Sequence, residues 1–154
     1  MSDGCIFCSI VAGTAPAFVV WEDMNYMAFL TPFPNTEGFT VVIPKAHYES
    51  YIFEAPDDVI EGIMQAAKHV ALKIDSAFPD VRRTAVIFEG FGVNHLHAKL
   101  FPMHGTVGDE WKQHVAKVDT YFTRYEGYIS SHNYQRADDA ALAVTAEKIR
   151  SAAV

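Results

Sequence analysis

The sequence predicts one antiparallel α+β domain, because short strand-like segments surround a single long amphipathic helix. Half of the 154 residues are hydrophobic and one-fifth are charged, a composition typical of a globular domain with a sizeable core. Five segments have the length and apolar content of strands, and one longer stretch repeats its apolar residues at helical spacing. Strands joined by short links around one helix indicate an antiparallel sheet covered by that helix.

The first three strands are predicted in the N-terminal third of the chain. Residues 18–21 and 26–30 are rich in aromatic and β-branched side chains and are separated by a short polar turn. Residues 31–35 form a loop, because its two prolines lack the amide donor that a sheet requires. The third strand spans residues 39–43 and ends at Pro44.

The main helix is predicted to begin near Pro56. Proline suits the first helical position, and Asp57 and Asp58 stabilise the positive end of the helix dipole. Apolar residues then recur at helical spacing and predict one buried stripe. The stripe comprises Val59, Ile60, Ile63, Met64, Ala67, Val70, Ala71 and Ile74.

Two further strands are predicted at residues 85–88 and 93–101, with Glu89-Gly90-Phe91-Gly92 between them. Residues 103–136 are rich in aromatic side chains and are interpreted as a tail packed on the domain. A last helix is predicted to begin near Ala137. The chain is therefore expected to be a single domain, with a core at about residues 5–102 and the tail and terminal helix in residues 103–154.

The charge and hydropathy of the chain exclude several classes of partner. The net charge is −7 and the pI about 5.4, whereas binding to a nucleic-acid backbone requires a clustered basic surface. Small phosphorylated ligands remain possible, since they need only a local positive site. No apolar stretch reaches the roughly 20 residues that cross a membrane. The first four residues lack the features of a signal peptide, so the expected location is the cytoplasm.

The segment Val93 to Phe101 carries the most informative polar pattern. On a strand, alternate side chains share a face, so His95, His97 and Lys99 are expected to point one way and the apolar residues between them the other. The alternative is a solvated strand face on which the histidines are incidental.

A second pattern is the pair Cys5 and Cys8, spaced as CxxC. Thiolates at this spacing can bind one zinc ion, which takes four nitrogen or sulfur ligands. Two further ligands would come from among the seven histidines. A redox pair is the alternative, but it requires the start of a helix in a βαβ unit, and no strand is predicted before Cys5.

His47 follows the end of the third strand in Ile43-Pro44-Lys45-Ala46-His47. A histidine just beyond a strand end can approach a neighbouring strand of the same sheet. The alternative is a histidine in a surface loop.

Together these segments resemble the histidine triad (HIT) superfamily. Cys5-Ile6-Phe7-Cys8, the Ile43-Pro44-Lys45 strand end, and Gly90 to His97 occur in the order and spacing of that family, over about residues 5–102. The resemblance implies a HIT-like fold of about five strands with one central helix. It also implies a homodimer that binds nucleotides.

The resemblance assigns roles to individual residues. His97 matches the middle histidine of the family motif, the nucleophile that accepts a nucleotidyl group. The zinc ligands of metal-bearing members match Cys5, Cys8, His47 and His95. Four protein ligands leave no open position, so the implied zinc is structural.

The sequence also departs from the family pattern. The third motif histidine is replaced by Lys99, a compact cation in place of an imidazole. Phe91 and Gly92 stand where many family hydrolases have glutamine and serine or threonine, which contact phosphate. Thr31 stands where many members have an acidic residue for the ribose. The substrate-binding residues are therefore expected to be Lys99, Gly92, Asn35 and Asn94, the two asparagines compensating for lost donors.

Three functions follow as hypotheses. The first is a hydrolase that cleaves dinucleoside polyphosphates or nucleoside phosphoramidates through a covalent nucleotidyl-His97. The second is a nucleotidyltransferase or phosphorylase, because transferase branches also replace the third histidine. The third is a zinc-stabilised nucleotide-binding module with little catalysis, which the missing phosphate donors favour.

Overall fold

Within the residues that the structure describes, the fold is a five-stranded antiparallel sheet with three helices. A computed structural model describes residues 4–108, 111–115, 117, 120–125 and 133–153. The strands are β1 (Phe18–Glu22), β2 (Tyr26–Leu30), β3 (Thr40–Pro44), β4 (Thr84–Ile87) and β5 (Ala98–Pro102). The helices are α1 (Ile6–Val11), α2 (Asp57–Ala77) and α3 (Asp139–Ser151), with a 3-10 turn at Ile52–Glu54. The strand order is β1-β2-β3-β5-β4, and every neighbouring pair is antiparallel, which confirms the predicted fold class.

Helix α2 covers one face of the sheet and buries most of the predicted apolar stripe. Its fully buried residues pack with the inward-facing side chains of the central strands into the main core. The buried α2 residues are Val59, Ile63, Ala66, Ala67, Val70, Ile74 and Ala77. Met64 is an exception, because its side chain is 42% exposed. The prediction that Met64 is buried is wrong, because this residue lies at the margin of the apolar stripe.

Helix α3 extends the same layer beside α2 and over β1. Asp138 caps its first turn by accepting a hydrogen bond from the Ala141 amide at 3.1 Å. Leu142, Ala146 and Ile149 are buried in the main core, and the helix begins close to the predicted position near Ala137. No helix in the described part of the chain is both long and apolar enough to span a bilayer.

A second, smaller core occupies the opposite face of the sheet. Met27, Phe29 and Val41 point to this side, and Phe7 and Ile10 of α1 pack against them. Helix α1 is absent from the sequence prediction, because its six residues are too few to establish a helical period. This helix places Cys5 and Cys8 beside the sheet.

The segment before β5 differs from the prediction of a strand over residues 93–101. The strand begins only at Ala98, after a bend in which Gly92 has a φ of +95°. The Leu96 amide instead donates to the carbonyl of Tyr48 at 2.9 Å, outside the sheet. The predicted alternation survives this change, because Leu96 lies in the main core while His95 and His97 lie on the opposite side.

We expect α3 to be an integral part of the domain. Ile149→Ala should lower the free energy of unfolding by about 2–5 kcal/mol, because a fully buried side chain leaves a cavity. Val144→Ala on the same helix is the control, since its side chain is 70% exposed. Urea denaturation followed by circular dichroism measures both. Equal stabilities of the two variants would contradict the packing of α3.

Candidate functional site

Four potential metal ligands converge between α1, the end of β3 and the segment before β5. The ligand atoms of Cys5, Cys8, His47 and His95 all lie within 4.8 Å of one another. Cys5 Sγ lies 3.5 Å from His95 Nδ1, and Cys8 Sγ lies 3.4 Å from His47 Nδ1 and 3.6 Å from His95 Nδ1. Two thiols and two imidazoles in this arrangement could hold a metal ion.

The backbone fixes the orientation of the His95 ring. Its Nε2–H donates to the carbonyl of Pro44 at 2.9 Å, so Nδ1 keeps a lone pair that faces the two sulfur atoms. The ring is completely buried, and burial lowers its pKa, which keeps the imidazole neutral. A neutral imidazole with one nitrogen anchored to a carbonyl is the form that binds metal ions.

Cys5 and Cys8 begin helix α1. Cys5 is its N-cap, and the Cys5 sulfur accepts from the Cys8 amide at 3.5 Å. The pair therefore stands at the start of a helix, which the sequence does not predict, and none of the described residues before Cys5 forms a strand. The two cysteines are not joined by a disulfide.

His97 lies two residues beyond His95 and is also buried, with 3% of its surface exposed. Its Nδ1–H donates to the carbonyl of His95 at 2.7 Å, which leaves the Nε2 lone pair available. Burial is the main cause that lowers the pKa of His97, and the positive charge of Lys99 adds to it. Neutral His97 packs edge-on against the ring of Phe7, with centroids 5.6 Å apart.

A cavity of about 510 Å³ opens beside His97. Most of its wall is apolar and comes from α1, β2 and the loops around them, with Phe7, Phe29 and Phe91 among the lining residues. The polar or charged side chains that line it within the described residues are Thr31, His97, Lys99, Asn133, Arg136 and Asp139. Such a cavity can take an apolar ring together with a small polar group.

Lys99 lies in this cavity and forms an ion pair with Glu89. The pair is largely buried, with 15% of the Lys99 side chain and 8% of the Glu89 side chain exposed. The lysine charge beside His97 is thus balanced by a carboxylate.

The other predicted substrate-binding residues are only partly brought together. Gly92 lines the cavity with His97 and Lys99. Asn35 lines a different cavity, near α3, where its buried Oδ1 has no hydrogen-bond donor among the described residues. Asn94 is exposed, and its Oδ1 accepts from the Ser50 amide at 3.0 Å.

Comparisons with known proteins identify the family of the chain. Residues 12–106 match the HIT domain family. The chain belongs to this family. It is 32% identical to the Bacillus subtilis protein called protein hit, over 74% of this chain and 83% of the relative.

Solved structures of HIT proteins have the same fold. A zinc-bound histidine triad family protein from Mycobacterium smegmatis superposes with a TM-score of 0.70 at 22% identity, covering 98% of this chain and 94% of that chain. A HIT family hydrolase from Legionella pneumophila gives 0.58 at 27% identity, covering 66% and 94%.

Several residues of the site in this HIT protein carry no signal in the sequence. Glu89 follows β4 by two residues, and nothing in the local pattern indicates that it pairs with Lys99. Arg136 and Asp139 reach the cavity from the region around the start of α3. Ser50 anchors the 90–94 loop, because its Oγ donates to the Gly90 carbonyl at 2.7 Å. This contact joins residues far apart in the sequence, so no local pattern predicts it.

Proposed function

We propose that this HIT protein is a hydrolase that cleaves dinucleoside polyphosphates or nucleoside phosphoramidates through a covalent nucleotidyl-His97 intermediate. The observation that carries the proposal is the tautomer of His97. Its Nδ1 proton is held by the His95 carbonyl, and the ring is neutral and lines the cavity. A neutral imidazole with a free Nε2 lone pair in an apolar cavity is an activated nucleophile.

The reaction would proceed in two displacements at phosphorus. The Nε2 lone pair attacks the α-phosphorus, and the bond from phosphorus to the leaving group breaks. The leaving oxygen or nitrogen keeps the electron pair of that bond, and a leaving nitrogen takes up a proton from solvent. Water then attacks the same phosphorus, the phosphorus–nitrogen bond to His97 breaks, and the water proton is released to solvent. Lys99 lies in the same cavity, where its positive charge would stabilise the phosphoryl oxygens in both steps.

We also propose that Cys5, Cys8, His47 and His95 bind a structural zinc ion. Bonds of about 2.3 Å to sulfur and about 2.0–2.1 Å to nitrogen, at a tetrahedral angle, separate a sulfur from a nitrogen by roughly 3.6 Å. The sulfur–nitrogen separations of 3.4–3.6 Å match this value. With four protein ligands the ion would stabilise α1 and the His95 segment, and the anchored segment would in turn position His97.

The nucleophile can be identified by intact-protein mass. Incubation with a panel of dinucleoside polyphosphates and nucleoside phosphoramidates should add the mass of one nucleotidyl group, and His97→Ala should abolish that gain. His69→Ala on the exposed side of α2 is the control and should keep the adduct. An adduct retained by His97→Ala would contradict the proposed nucleophile.

The lifetime of the adduct separates the hydrolase from its alternatives. Rapid loss in water supports hydrolysis, whereas an adduct that transfers faster to phosphate or a sugar phosphate indicates a nucleotidyltransferase. Binding of a nucleotide with neither adduct nor turnover indicates a binding module.

The metal proposal predicts about one zinc per chain, measured by elemental analysis of protein purified in reducing buffer. His95→Ala should lose the zinc and lower the melting temperature, because three ligands bind the ion more weakly. His104→Ala is the control, since His104 lies outside the four-ligand cluster. Fully folded parent protein that contains no metal would contradict the proposal.

Lys99 is predicted to bind phosphate. Lys99→Met should weaken AMP binding by roughly tenfold or more, because it removes a positive charge and leaves the buried Glu89 facing the anion. Lys99→Arg should retain much of the affinity. Lys68→Met, on an exposed position of α2, controls for net charge. Calorimetric titration with AMP measures all three, and parent-like affinity in Lys99→Met would exclude Lys99 from the site.

A further inference from the structure

The cavity beside His97 has aromatic rings at two depths. Phe29 and Phe39 line it and are buried, with 3% and 2% of their surfaces exposed, and the partly buried Phe7 lies with them. Phe91 lines the same cavity but is 64% exposed. A ring that lines a cavity and is still largely exposed lies at its opening. Phe91 is therefore at the mouth of the cavity, and the buried rings are in its interior.

A second ring supports Phe91 at the mouth. Tyr125 stacks on it, with ring centroids 5.8 Å apart and an interplanar angle of 18°. Such stacking is favourable between aromatic side chains when the rings are offset. Tyr125 lies beyond residue 106, outside the part of the chain that matches the HIT domain family. The aromatic mouth is therefore built partly by a segment that the family match does not cover.

The backbone also holds Phe91 in position. The loop that carries it is joined to Ser50 by two hydrogen bonds, one from the Ser50 Oγ to the Gly90 carbonyl at 2.7 Å and one from the Ser50 amide to Asn94 Oδ1 at 3.0 Å. Gly90 has a φ of +75°, and a Cβ there would lie 3.3 Å from the Ser50 carbonyl oxygen. A ring fixed in this way loses little conformational freedom when a ligand stacks on it.

The cavity has to accommodate the groups on both sides of a reacting phosphate. His97 and Lys99, which are proposed to act on that phosphate, line the same cavity as the interior rings and Phe91. The phosphate of a nucleotide substrate joins the nucleoside that is transferred to the leaving group. The transferred nucleoside stays on the protein during the second step, whereas the leaving group departs before water enters. The interior therefore suits the nucleoside, and the mouth suits the leaving group.

We infer that Phe91, supported by Tyr125, binds an aromatic ring on the leaving group and makes the cavity selective for substrates that carry one. Dinucleoside polyphosphates have such a ring in their second base. Among nucleoside phosphoramidates, only those of ring-bearing amines have one, and simple aliphatic amines are poorer leaving groups here because they do not stack. This inference rests on the proposed nucleotide site and narrows its substrate class.

The test compares two substrates that differ only in the saturation of one ring. They are the adenosine 5′-phosphoramidates of 2-phenylethylamine and 2-cyclohexylethylamine, in which the leaving nitrogen is the same kind of primary alkylamine. The same pair made on guanosine is measured alongside, so that the result does not depend on the preferred base. The measured quantity is the ratio of kcat/KM for the phenyl compound to kcat/KM for the cyclohexyl compound. Loss of folded protein lowers both values equally and leaves the ratio unchanged.

In the parent protein this ratio should be about three to ten, because a stacked aromatic pair is stabilised beyond its buried area. Phe91→Leu keeps an apolar side chain without an aromatic face and should lower the ratio to about one. Phe91→Tyr should retain the parent ratio. Tyr125→Leu should lower the ratio by less than Phe91→Leu, because Tyr125 acts through the Phe91 ring.

Phe53→Leu is the matched control. Phe53 is also an exposed phenylalanine, with 80% of its surface accessible, and its ring contacts that of Tyr51 with centroids 5.5 Å apart. It does not line the cavity beside His97, so Phe53→Leu should leave the ratio unchanged.

The outcomes separate this inference from the proposed function. A parent ratio of about one, or an equal ratio in the parent and Phe91→Leu, overturns the aromatic selectivity and leaves the nucleotide site in place. If Phe91→Leu does not fold, the ratio in Tyr125→Leu decides. Binding of the compounds without cleavage overturns the proposed hydrolase, and the ratio of their dissociation constants in the same variants then tests the inference. Failure of all four compounds to bind the parent protein overturns both.

Discussion

Two hydrogen bonds to backbone carbonyls determine which nitrogen of His95 and of His97 carries the proton. The Pro44 carbonyl accepts a hydrogen bond from the Nε2–H of His95, and the His95 carbonyl accepts one from the Nδ1–H of His97. The two rings therefore expose opposite nitrogens, Nδ1 toward the sulfurs and Nε2 available beside the cavity. Because both rings are buried, they stay neutral and cannot exchange these roles by rotating in solvent. One short segment thus contains both a potential metal ligand, His95, and the proposed nucleophile, His97.

The main core and the candidate site lie on opposite faces of the sheet. The α2 and α3 face buries the main core, whereas the α1 face carries the second, smaller core, the four potential metal ligands and the cavity. Leu96 and Ala98 point into the main core between the site residues, so the site is supported from behind by well-packed side chains. This support keeps His95 and His97 in place although they precede the regular part of β5.

The sequence predicts those parts of the molecule that depend on a pattern within one contiguous segment. The strands and α2 follow from periodicity, and the roles expected of His97 and the four potential metal ligands rest on short motifs. Helix α1 has too few turns to show a period, and the late start of β5 depends on a hydrogen bond to Tyr48. The pairing of Lys99 with Glu89 joins a strand to a loop ten residues away, and the position of Arg136 depends on how α3 packs. Neither contact has a repeating pattern, so only the folded chain reveals them.

The capping of α1 by Cys5 has a thermodynamic consequence. Cys5 is at once the N-cap of this helix and one of the four potential metal ligands, and Phe7, two residues later, contacts His97. An ion held by the four residues would order the helix whose side chains wall the cavity. Ligand binding in the cavity and metal binding at the four residues would then be reciprocally coupled. A ligand that favours the ordered helix would increase the affinity for the metal, and the metal would increase the affinity for that ligand by the same factor. The rate at which a chelator removes the metal would then report the fraction of protein that has a ligand bound in the cavity.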